Sequence, residues 1–295
     1  MHIRMIAALS IVAWALYGSG SLAAPSASTS GTQPYTLERF SLPGPVNGVL
    51  ARTDLGNKRV RVEVALADDR DPDGAGPCVG QMETTSIAAR KHGYQIAINA
   101  SFFATPQVKE VDGRKISYFV GNCGYPEGWH FSAGRLISSP LKENLRATMI
   151  VHRDGHVTLK DGVTELPGDT AFAVSGNAMV LANGEPTRSA TDVMRHPRSA
   201  VGLSADGRTL LILAIDGRQE GHSRGVTLAE LARIFLSFGA HSAINLDGGG
   251  SSSMVVRDPA TGVHAIVNQP SEPSSTGLPM RVERPVIDIV GVTVE

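Results

Sequence analysis

The sequence predicts an α+β or α/β fold of mixed β-sheets with few helices, including a β-α-β unit that carries a site at the carboxyl edge of its strands. Apolar residues alternate with a period of two along many short segments, which is typical of half-buried strands. Only two segments have helical spacing, and no repeat of fixed period is present. The composition is that of an ordinary globular chain.

The amino-terminal residues predict export. A basic start with His2 and Arg4 precedes an apolar run and a small-residue exit near Ala23, so residues 1–23 read as a signal peptide, with an uncleaved anchor as the alternative. Residues 24–34 are rich in Ser, Thr, Pro and Gly and predict a flexible linker. We expect 35–81 to form a β segment packed on a catalytic domain at 82–295. The mature protein is expected in the periplasm or medium, with no stable membrane span.

The secondary structure follows from these periods. The stronger helix has Thr227 and Glu230 at capping-box spacing, and it ends before Gly239. The predicted strands are Arg59 to Ala67, Gln95 to Asn99, Ala147 to His152, Ala171 to Val174, Ser199 to Leu203, Thr209 to Asp216, His241 to Leu246 and Val286 to Val294; the predicted helices are Glu83 to His92 and Thr227 to Phe238.

Two aspartates follow strands that flank the second helix. A strand, a helix and a second strand make a β-α-β unit, whose two strands run parallel. Asp216 and Asp247 are therefore expected at the same carboxyl edge of a sheet, where ligands bind in such folds. Both aspartates are candidate catalytic residues.

The segment after the second of these strands is the most informative in the chain. Asn245 and Asp247 lie two residues apart and face one side of the strand, and three glycines and three serines follow. Glycines let the main chain approach a ligand closely, and the amides and hydroxyls can donate to phosphate or sugar oxygens. The candidate binding residues here are Asn245, Gly248, Gly249, Gly250, Ser251 and Ser252.

Further polar residues are expected beside this segment. Asn99 ends a buried strand, although a turn asparagine is an equal alternative. Arg198 enters another strand and suits phosphate recognition, against the alternative of a solvated surface charge. The loop after Asp216 contributes Gly217, Arg218 and Ser223, because polar loops of this kind carry binding more often than packing.

Charge, cysteines and metal motifs limit the function. The formal net charge is -1, so no basic field favours nucleic acid as a partner. Cys78 and Cys123 predict a disulfide in an exported chain, with two buried thiols as the alternative. Asp216 and Asp247 could instead hold Ca²⁺ or Mg²⁺, so either no cofactor or a divalent cation remains open. No zinc-hydrolase motif of the His-Glu-x-x-His kind occurs.

Four segments in order resemble the phosphodiester glycosidase family: residues 196–202, 216–228, 238–240 and 244–252. The resemblance covers roughly Met82 to the carboxyl terminus. Two departures are visible. The family's Asn-Gly-Gly-Phe-Phe turn appears as Asn99-Ala100-Ser101-Phe102-Phe103, and His222 stands where family members often carry Tyr.

The resemblance implies an exported hydrolase that cleaves a sugar, N-acetylglucosamine among the candidates, from a sugar-1-phosphodiester and leaves the phosphate on its carrier. It implies Asp247 as nucleophile or base and Asp216 as acid or substrate orienter. Arg198 with Gly248–Ser252 would hold the phosphate, while Asn99 and Asn245 would bind sugar hydroxyls or position Asp247. Two alternatives stay open: an envelope protein that binds polysaccharide or sugar phosphate without cleaving it, and a phosphodiesterase that cuts the P–O bond.

Overall fold

The structure of the chain, a computed structural model, describes residues 34–70, 73–74, 78–111, 113–142, 144, 146–187, 193–274 and 280–295. The predicted signal peptide and residues 24–33 of the predicted linker lie outside the described residues. All described residues belong to one compact unit. In the part of the chain that the structure describes, no helix is long and apolar enough to cross a membrane.

Short strands and two α-helices make up the unit. The elements of the first half are β1 Tyr35–Leu42, β2 Val46–Asp54, β3 Val60–Leu66, α1 Thr85–His92, β4 Ile96–Asn99, β5 Phe103–Ala104, β6 Lys109–Val111, β7 Arg114–Ile116, β8 Tyr125–Pro126, β9 His130–Ser132, β10 Arg135–Ser138, β11 Thr148–His152 and β12 Val157–Lys160. Those of the second half are β13 Thr170–Ser175, β14 Ala178–Ala182, β15 Glu185–Pro186, β16 Arg198–Leu203, β17 Thr209–Ile215, α2 Leu228–Ser237, β18 Ser242–Asn245, a 3-10 turn Gly249–Ser251, β19 Met254–Arg257, β20 His264–Ile266, β21 Glu272–Pro273, β22 Arg281–Val282 and β23 Asp288–Val294. Every predicted strand and both predicted helices are present, with ends displaced by one or two residues.

Three larger sheets organise these strands. Sheet A has the order β1-β2-β17-β16-β18-β14-β15, sheet B has β20-β19-β4-β23-β3, and sheet C has β10-β9-β13-β11-β12. The segment 35–81 supplies β1 and β2 to sheet A and β3 to sheet B. The expectation of mixed sheets was wrong for the described residues, because the ladders of all three sheets are antiparallel.

The crossover through α2 differs from a simple β-α-β unit in one respect. β16 lies between β17 and β18 and pairs antiparallel with both. β17 and β18 consequently run in the same direction without bonding to each other. Ile215 at the end of β17 is opposite Arg198, and Asn245 at the end of β18 is opposite Ala200, so both strands end beside the start of β16.

The core explains why the strands alternate. One cluster of buried residues takes members from all three sheets, including Ile212 of sheet A, Ile98 of sheet B and Met149 of sheet C. The opposite face of sheet A is covered by α2, whose Leu231 and Phe235 are fully buried. The capping box of α2 is present, because the Thr227 hydroxyl accepts from the Glu230 amide and Glu230 accepts from the Thr227 amide.

A disulfide joins two loops. Cys78 and Cys123 form the predicted disulfide, with Cα atoms 5.6 Å apart. The neighbouring Asn122 donates to the main-chain carbonyls of Gln107, at 3.1 Å, and Ser117, at 2.6 Å. The bridge joins Cys123 to the loop that precedes α1, and the Asn122 amide brings together the segments that contain Gln107 and Ser117.

Candidate active site

Asp247 begins the turn that connects β18 to β19. It follows Leu246, and its main-chain amide donates to the Ala100 carbonyl at 2.8 Å. The residue keeps a partly exposed surface, but its carboxyl group lies among protein atoms. This desolvation raises the pKa of Asp247 to about 7, and the nearby Ser251 hydroxyl, the charge of Arg284 and the Gly248 amide oppose the rise, while the charge of Asp288 adds to it. Asp247 is therefore a carboxyl group that titrates near neutral pH.

Asn99 holds Asp247 in place from sheet B. Its Nδ2 donates to the Asp247 main-chain carbonyl at 2.7 Å. Its Oδ1 accepts from the Ser199 hydroxyl at 2.6 Å and from the Ser253 amide at 3.2 Å. Because the residue is only 1% exposed and its amide bonds to three partners, Asn99 ties sheets A and B together at Asp247. Of the two predicted roles, the geometry favours positioning.

Asp288 in β23 is a site residue that the sequence reasoning missed. Its carboxylate accepts from the Ser101 amide at 2.7 Å and from the Ser101 hydroxyl at 2.6 Å. It also bonds to Nδ1 of His130 at 2.7 Å, and both side chains are fully buried. Since Ala100 accepts the Asp247 amide, Ser101 joins this network to Asp247. Ser101 stands where the family's Asn-Gly-Gly-Phe-Phe turn has its second glycine, and it supplies a hydroxyl that glycine lacks.

Asp216 is linked to the same turn through residues after β20. Its Oδ1 accepts from the Gln269 amide at 2.8 Å and from Asn268 Nδ2 at 3.2 Å. Asn268 Nδ2 also donates to the Ser252 carbonyl at 3.0 Å. Asp216 Oδ2 lies 2.8 Å from Nε2 of His222. Asn268 therefore joins the Asp216 carboxylate to the main chain of the turn that begins at Asp247.

His222 is the exposed end of the Asp216 network. About a third of its side chain reaches solvent, against 6% for Asp216. Its Nδ1 lies 3.3 Å from Nδ2 of Asn47, which also donates to the His222 carbonyl at 2.7 Å. An amide donor at Nδ1 assigns the proton to Nε2, so His222 donates to Asp216. His222, which stands where family members often carry Tyr, is thus part of the site.

Two glycine segments meet on either side of Pro197, just before β16. A Cβ atom on Gly217 would lie 2.7 Å from the Pro197 nitrogen, and one on Gly248 would lie 2.6 Å from the Pro197 carbonyl oxygen. The Gly249 amide donates to that carbonyl at 2.9 Å. Positions 217 and 248 therefore require glycine because they pack closely against the protein's own main chain.

Arg218 reaches over the glycine turn. Gly249 has a φ of +63°, and a Cβ atom there would lie 3.0 Å from Nη1 of Arg218. Arg218 itself has a φ of +57°, a left-handed conformation that is uncommon for a long side chain. Its Nη2 lies 2.9 Å from Nδ1 of His196. The exposed guanidinium of Arg218 is therefore held over Gly249, two positions after Asp247 in the sequence, where an anion can reach it.

A second cation covers Gly250 and was also missed. Arg284 pairs with Glu272 at 2.6 Å, and both groups occupy the space that a Cβ atom on Gly250 would take. The guanidinium carbon of Arg284 lies 4.0 Å above the Tyr118 ring. This cation acts on Asp247, because its charge is among the causes that lower the aspartate's pKa.

Three predicted binding residues have their polar atoms directed to the protein. Arg198 is 5% exposed and donates to the Val226 and Met194 carbonyls, both at 3.1 Å. Ser223 is fully buried and donates to the Asp216 carbonyl at 2.6 Å. Asn245 donates to Asn177 and to the Leu246 carbonyl. The geometry gives all three a supporting position beneath the turn.

The turn keeps unused hydrogen-bonding capacity. Among the described residues, no hydrogen-bond partner is present for the buried hydroxyls of Ser252 and Ser253 or for Oδ1 of Asn245. Buried polar atoms without partners are costly and infrequent in folded proteins. Their concentration within nine residues marks this turn as the place where a polar ligand would restore lost hydrogen bonds.

The predicted metal candidate Asp216 has the surroundings of a hydrogen-bonded carboxylate. The described residues contain no group of three or more His, Cys, Asp or Glu side chains placed to hold a metal. The oxygens of Asp216 already face three N–H donors, which repel a cation. We derive no metal-dependent step.

Sequence signals for the missed residues differ in strength. Asp288 is a lone carboxylate in an apolar strand, which is informative because unpaired charges are rarely buried. His130 lies between Trp129 and Phe131 and resembles a core histidine. Arg284 has no local signal, since its partners are distant in sequence.

Comparisons with known proteins give the family and the fold of the chain. Residues 92–293 match the family model for phosphodiester glycosidase. A bovine (Bos taurus) N-acetylglucosamine-1-phosphodiester alpha-N-acetylglucosaminidase is 29% identical over 197 residues, which cover 63% of this chain and 36% of the relative. An uncharacterized SPbeta prophage-derived protein of Bacillus subtilis (strain 168) is 46% identical over 63 residues, 21% of this chain and 10% of its own length. The chain thus spans about a third or less of these relatives.

Solved structures show the same fold. The zebrafish N-acetylglucosamine-1-phosphodiester alpha-N-acetylglucosaminidase catalytic domain, auto-inhibited by its pro-peptide, superposes with a TM-score of 0.62 at 19% identity, covering 90% of this chain and 86% of that one. A candidate exported protein of Burkholderia pseudomallei K96243 superposes with a TM-score of 0.61 at 16% identity, covering 84% and 74%. With the family model matching most of its length, the chain belongs to the phosphodiester glycosidase family.

Proposed function

We propose that the chain is an exported hydrolase that cleaves a sugar from a sugar-1-phosphodiester and leaves the phosphate on its carrier. The observation that carries this proposal is Asp247, a carboxyl group with a pKa of about 7 at the head of a glycine turn with unpaired hydroxyls. A group that titrates near the working pH is suited to proton transfer. N-acetylglucosamine is the sugar suggested by the bovine relative's name.

In the proposed reaction, Asp247 acts as a general base. Phosphate is a good leaving group and needs little help from an acid, so the proton that must be moved is that of the attacking water. The water oxygen bonds to the anomeric carbon, its proton passes to Asp247, and the bond from that carbon to the phosphate oxygen breaks. The electron pair leaves with the phosphate, which stays on the carrier as a monoester.

The other site residues support this step. Asp216 acts through His222, which it orients toward the open side of the site. Arg218 and the unpaired hydroxyl of Ser252 contact the phosphate. The Gly249 amide stays bonded to the Pro197 carbonyl, and Arg198 supports the segment after Pro197 through its bond to the Val226 carbonyl. Asn99 and the Ser101–Asp288–His130 network fix the position of Asp247.

Substitution of Asp247 tests the assignment. We expect Asp247→Asn to reduce kcat by about a hundredfold or more, because general-base help contributes roughly 10²–10⁴. Glu165→Gln removes an exposed carboxylate from the loop between β12 and β13, and it serves as the control. Sugar release from a panel of α-linked sugar-1-phosphodiesters is the assay. Release unchanged in the Asn variant contradicts the role of Asp247.

Two further measurements separate the alternatives. Hydrolysis in ¹⁸O water should place the label in the sugar, whereas label in the phosphate would identify a P–O phosphodiesterase. Binding of sugar phosphates by the wild-type protein without any release of sugar would identify a binding protein. The basic start and apolar run of residues 1–23 and the candidate exported protein of the same fold support export to the periplasm or medium.

A further inference from the structure

A cleft rich in arginine adjoins the glycine turn. It has a volume of about 430 Å³ and is lined by Arg195, Arg218 and Arg224 together with Pro45 and the loop 219–221. We call it the arginine cleft. Arg218 belongs both to this cleft and to the turn, because its guanidinium lies over Gly249. Whatever occupies the arginine cleft is therefore next to a phosphate bound at the turn.

The loop geometry brings two of the arginines together. Gln219 and Ser223 form an antiparallel bridge, with their amides and carbonyls bonded at 3.0 and 2.9 Å. Arg218 and Arg224 directly flank this bridge, so the two segments of the loop that carry them run side by side. Like charges placed opposite each other on paired chains repel. A negative ligand between them would remove that repulsion.

The charges of the cleft are only partly balanced by the protein. Arg195 is paired with both carboxylate oxygens of Glu230, at 2.6 Å for one of the two contacts. Arg218 bonds to His196, a neutral or cationic partner. Among the residues that line the cleft, Glu220 is the one carboxylate, and it is exposed. The cleft therefore keeps an excess of positive charge.

Arg224 is held in place by packing. Gly44 has a φ of +119°, and a Cβ atom there would lie 2.5 Å from Nη2 of Arg224. The structure gives the Arg224 side chain no hydrogen bond or ion pair with any described residue, and the residue is exposed. A fixed guanidinium with free donors matches the geometry of a phosphate group.

We propose that the arginine cleft binds a second phosphate, carried on the same substrate beyond the scissile phosphodiester, through Arg224 and Arg218. The proposal rests on the proposed function and defines its substrate class as a carrier with more than one phosphate. A sugar-1-phosphodiester with a single phosphate would fill the turn and leave the cleft without its ligand.

The test compares two synthetic substrates that share the sugar and the scissile phosphodiester. In one of them, the carrier arm also bears a phosphomonoester. The wild-type protein should show a lower KM for the substrate with two phosphates. Arg224→Gln should raise that KM by about tenfold, the loss of one charged hydrogen bond, and leave the KM for the single-phosphate substrate unchanged.

A matched control comes from the opposite end of β17. Arg208 also packs over a glycine, since a Cβ atom on Gly56 would lie 2.5 Å from its Nη2. Arg208→Gln should leave both KM values unchanged. Equal KM values for the two substrates in the wild-type protein, or equal effects of Arg224→Gln on both, would overturn the proposal.

Calorimetric titration with tripolyphosphate separates this proposal from the proposed function. If the wild-type protein hydrolyses neither substrate, the proposed function fails, and the titration alone decides about the cleft. Tripolyphosphate binding that weakens in Arg224→Gln but not in Arg208→Gln supports an anion site. An absence of binding, or equal binding by all three proteins, refutes it.

Discussion

The raised pKa of Asp247 has a consequence for stability that can be measured without a substrate. A carboxyl group whose pKa is 3.8 in the unfolded chain and about 7 in the folded protein keeps its proton on folding over the intervening pH range. The folded state is therefore favoured by this group at low pH. That contribution is lost as the pH rises from about 4 to 7.

The size follows from the shift. The two pKa values differ by about 3 units, and at roughly 1.4 kcal/mol per unit the loss approaches about 4 kcal/mol as an upper limit. Asp247→Asn removes the titrating group but keeps its shape and polarity. We expect the variant to match the wild type near pH 4 and to exceed its free energy of unfolding by up to about 4 kcal/mol at pH 8.

Urea denaturation of both proteins at several pH values between 4 and 8 is the assay. Glu165→Gln, an exposed carboxylate, should show no such divergence from the wild type. A difference between Asp247→Asn and wild type that stays constant across the pH range would refute the reasoning, because it would mean that Asp247 has the same pKa in the folded and unfolded states.

Three other substitutions probe the surroundings. Gly249→Ala should cost about 1 kcal/mol or more, because the residue has a φ of +63° and its Cβ atom would crowd Arg218, and an unchanged melting temperature would contradict this. Asp288→Asn should move the acid limb of the pH–rate profile to lower pH, since the charge of Asp288 adds to the raised pKa of Asp247; an unmoved limb excludes that coupling. Phe235→Ala should lower the free energy of unfolding by about 3–5 kcal/mol, and a loss below 1 kcal/mol in urea would show that α2 is not packed as described.

The sequence was a good guide to elements and a weaker one to their arrangement. Strand periodicity and the capping box of α2 located eight strands and both helices, because these signals are local. The two longest strands, β1 and β2, were expected only as part of a β segment at 35–81. The order of sheet A was not predictable, since β16 is inserted between β17 and β18 by pairings that no local pattern encodes. For the same reason, β4 and its Asn99 were not expected in a second sheet.

The site divides in the same way. Asp247 was identified because a strand changes abruptly into glycines and serines, which is visible along the chain. The network of Ser101, His130 and Asp288 was missed because its members come together from positions 158 and 187 residues apart. Arg198 and Asn99 were assigned from their residue type and their positions at strand ends, while their hydrogen bonds to the protein depend on the folded structure.

The strand between β17 and β18 acts as a spacer of fixed width. Neighbouring strands lie about 4.8 Å apart, so the ends that lead to Asp216 and Asp247 are separated by roughly 10 Å. That separation can change only in steps of a whole strand, whereas the loops above it can change by single residues. The distance between the two strand ends is thus set by the sheet, with Pro197 packed between Gly217 and Gly248, and a change of substrate would have to come from the loops.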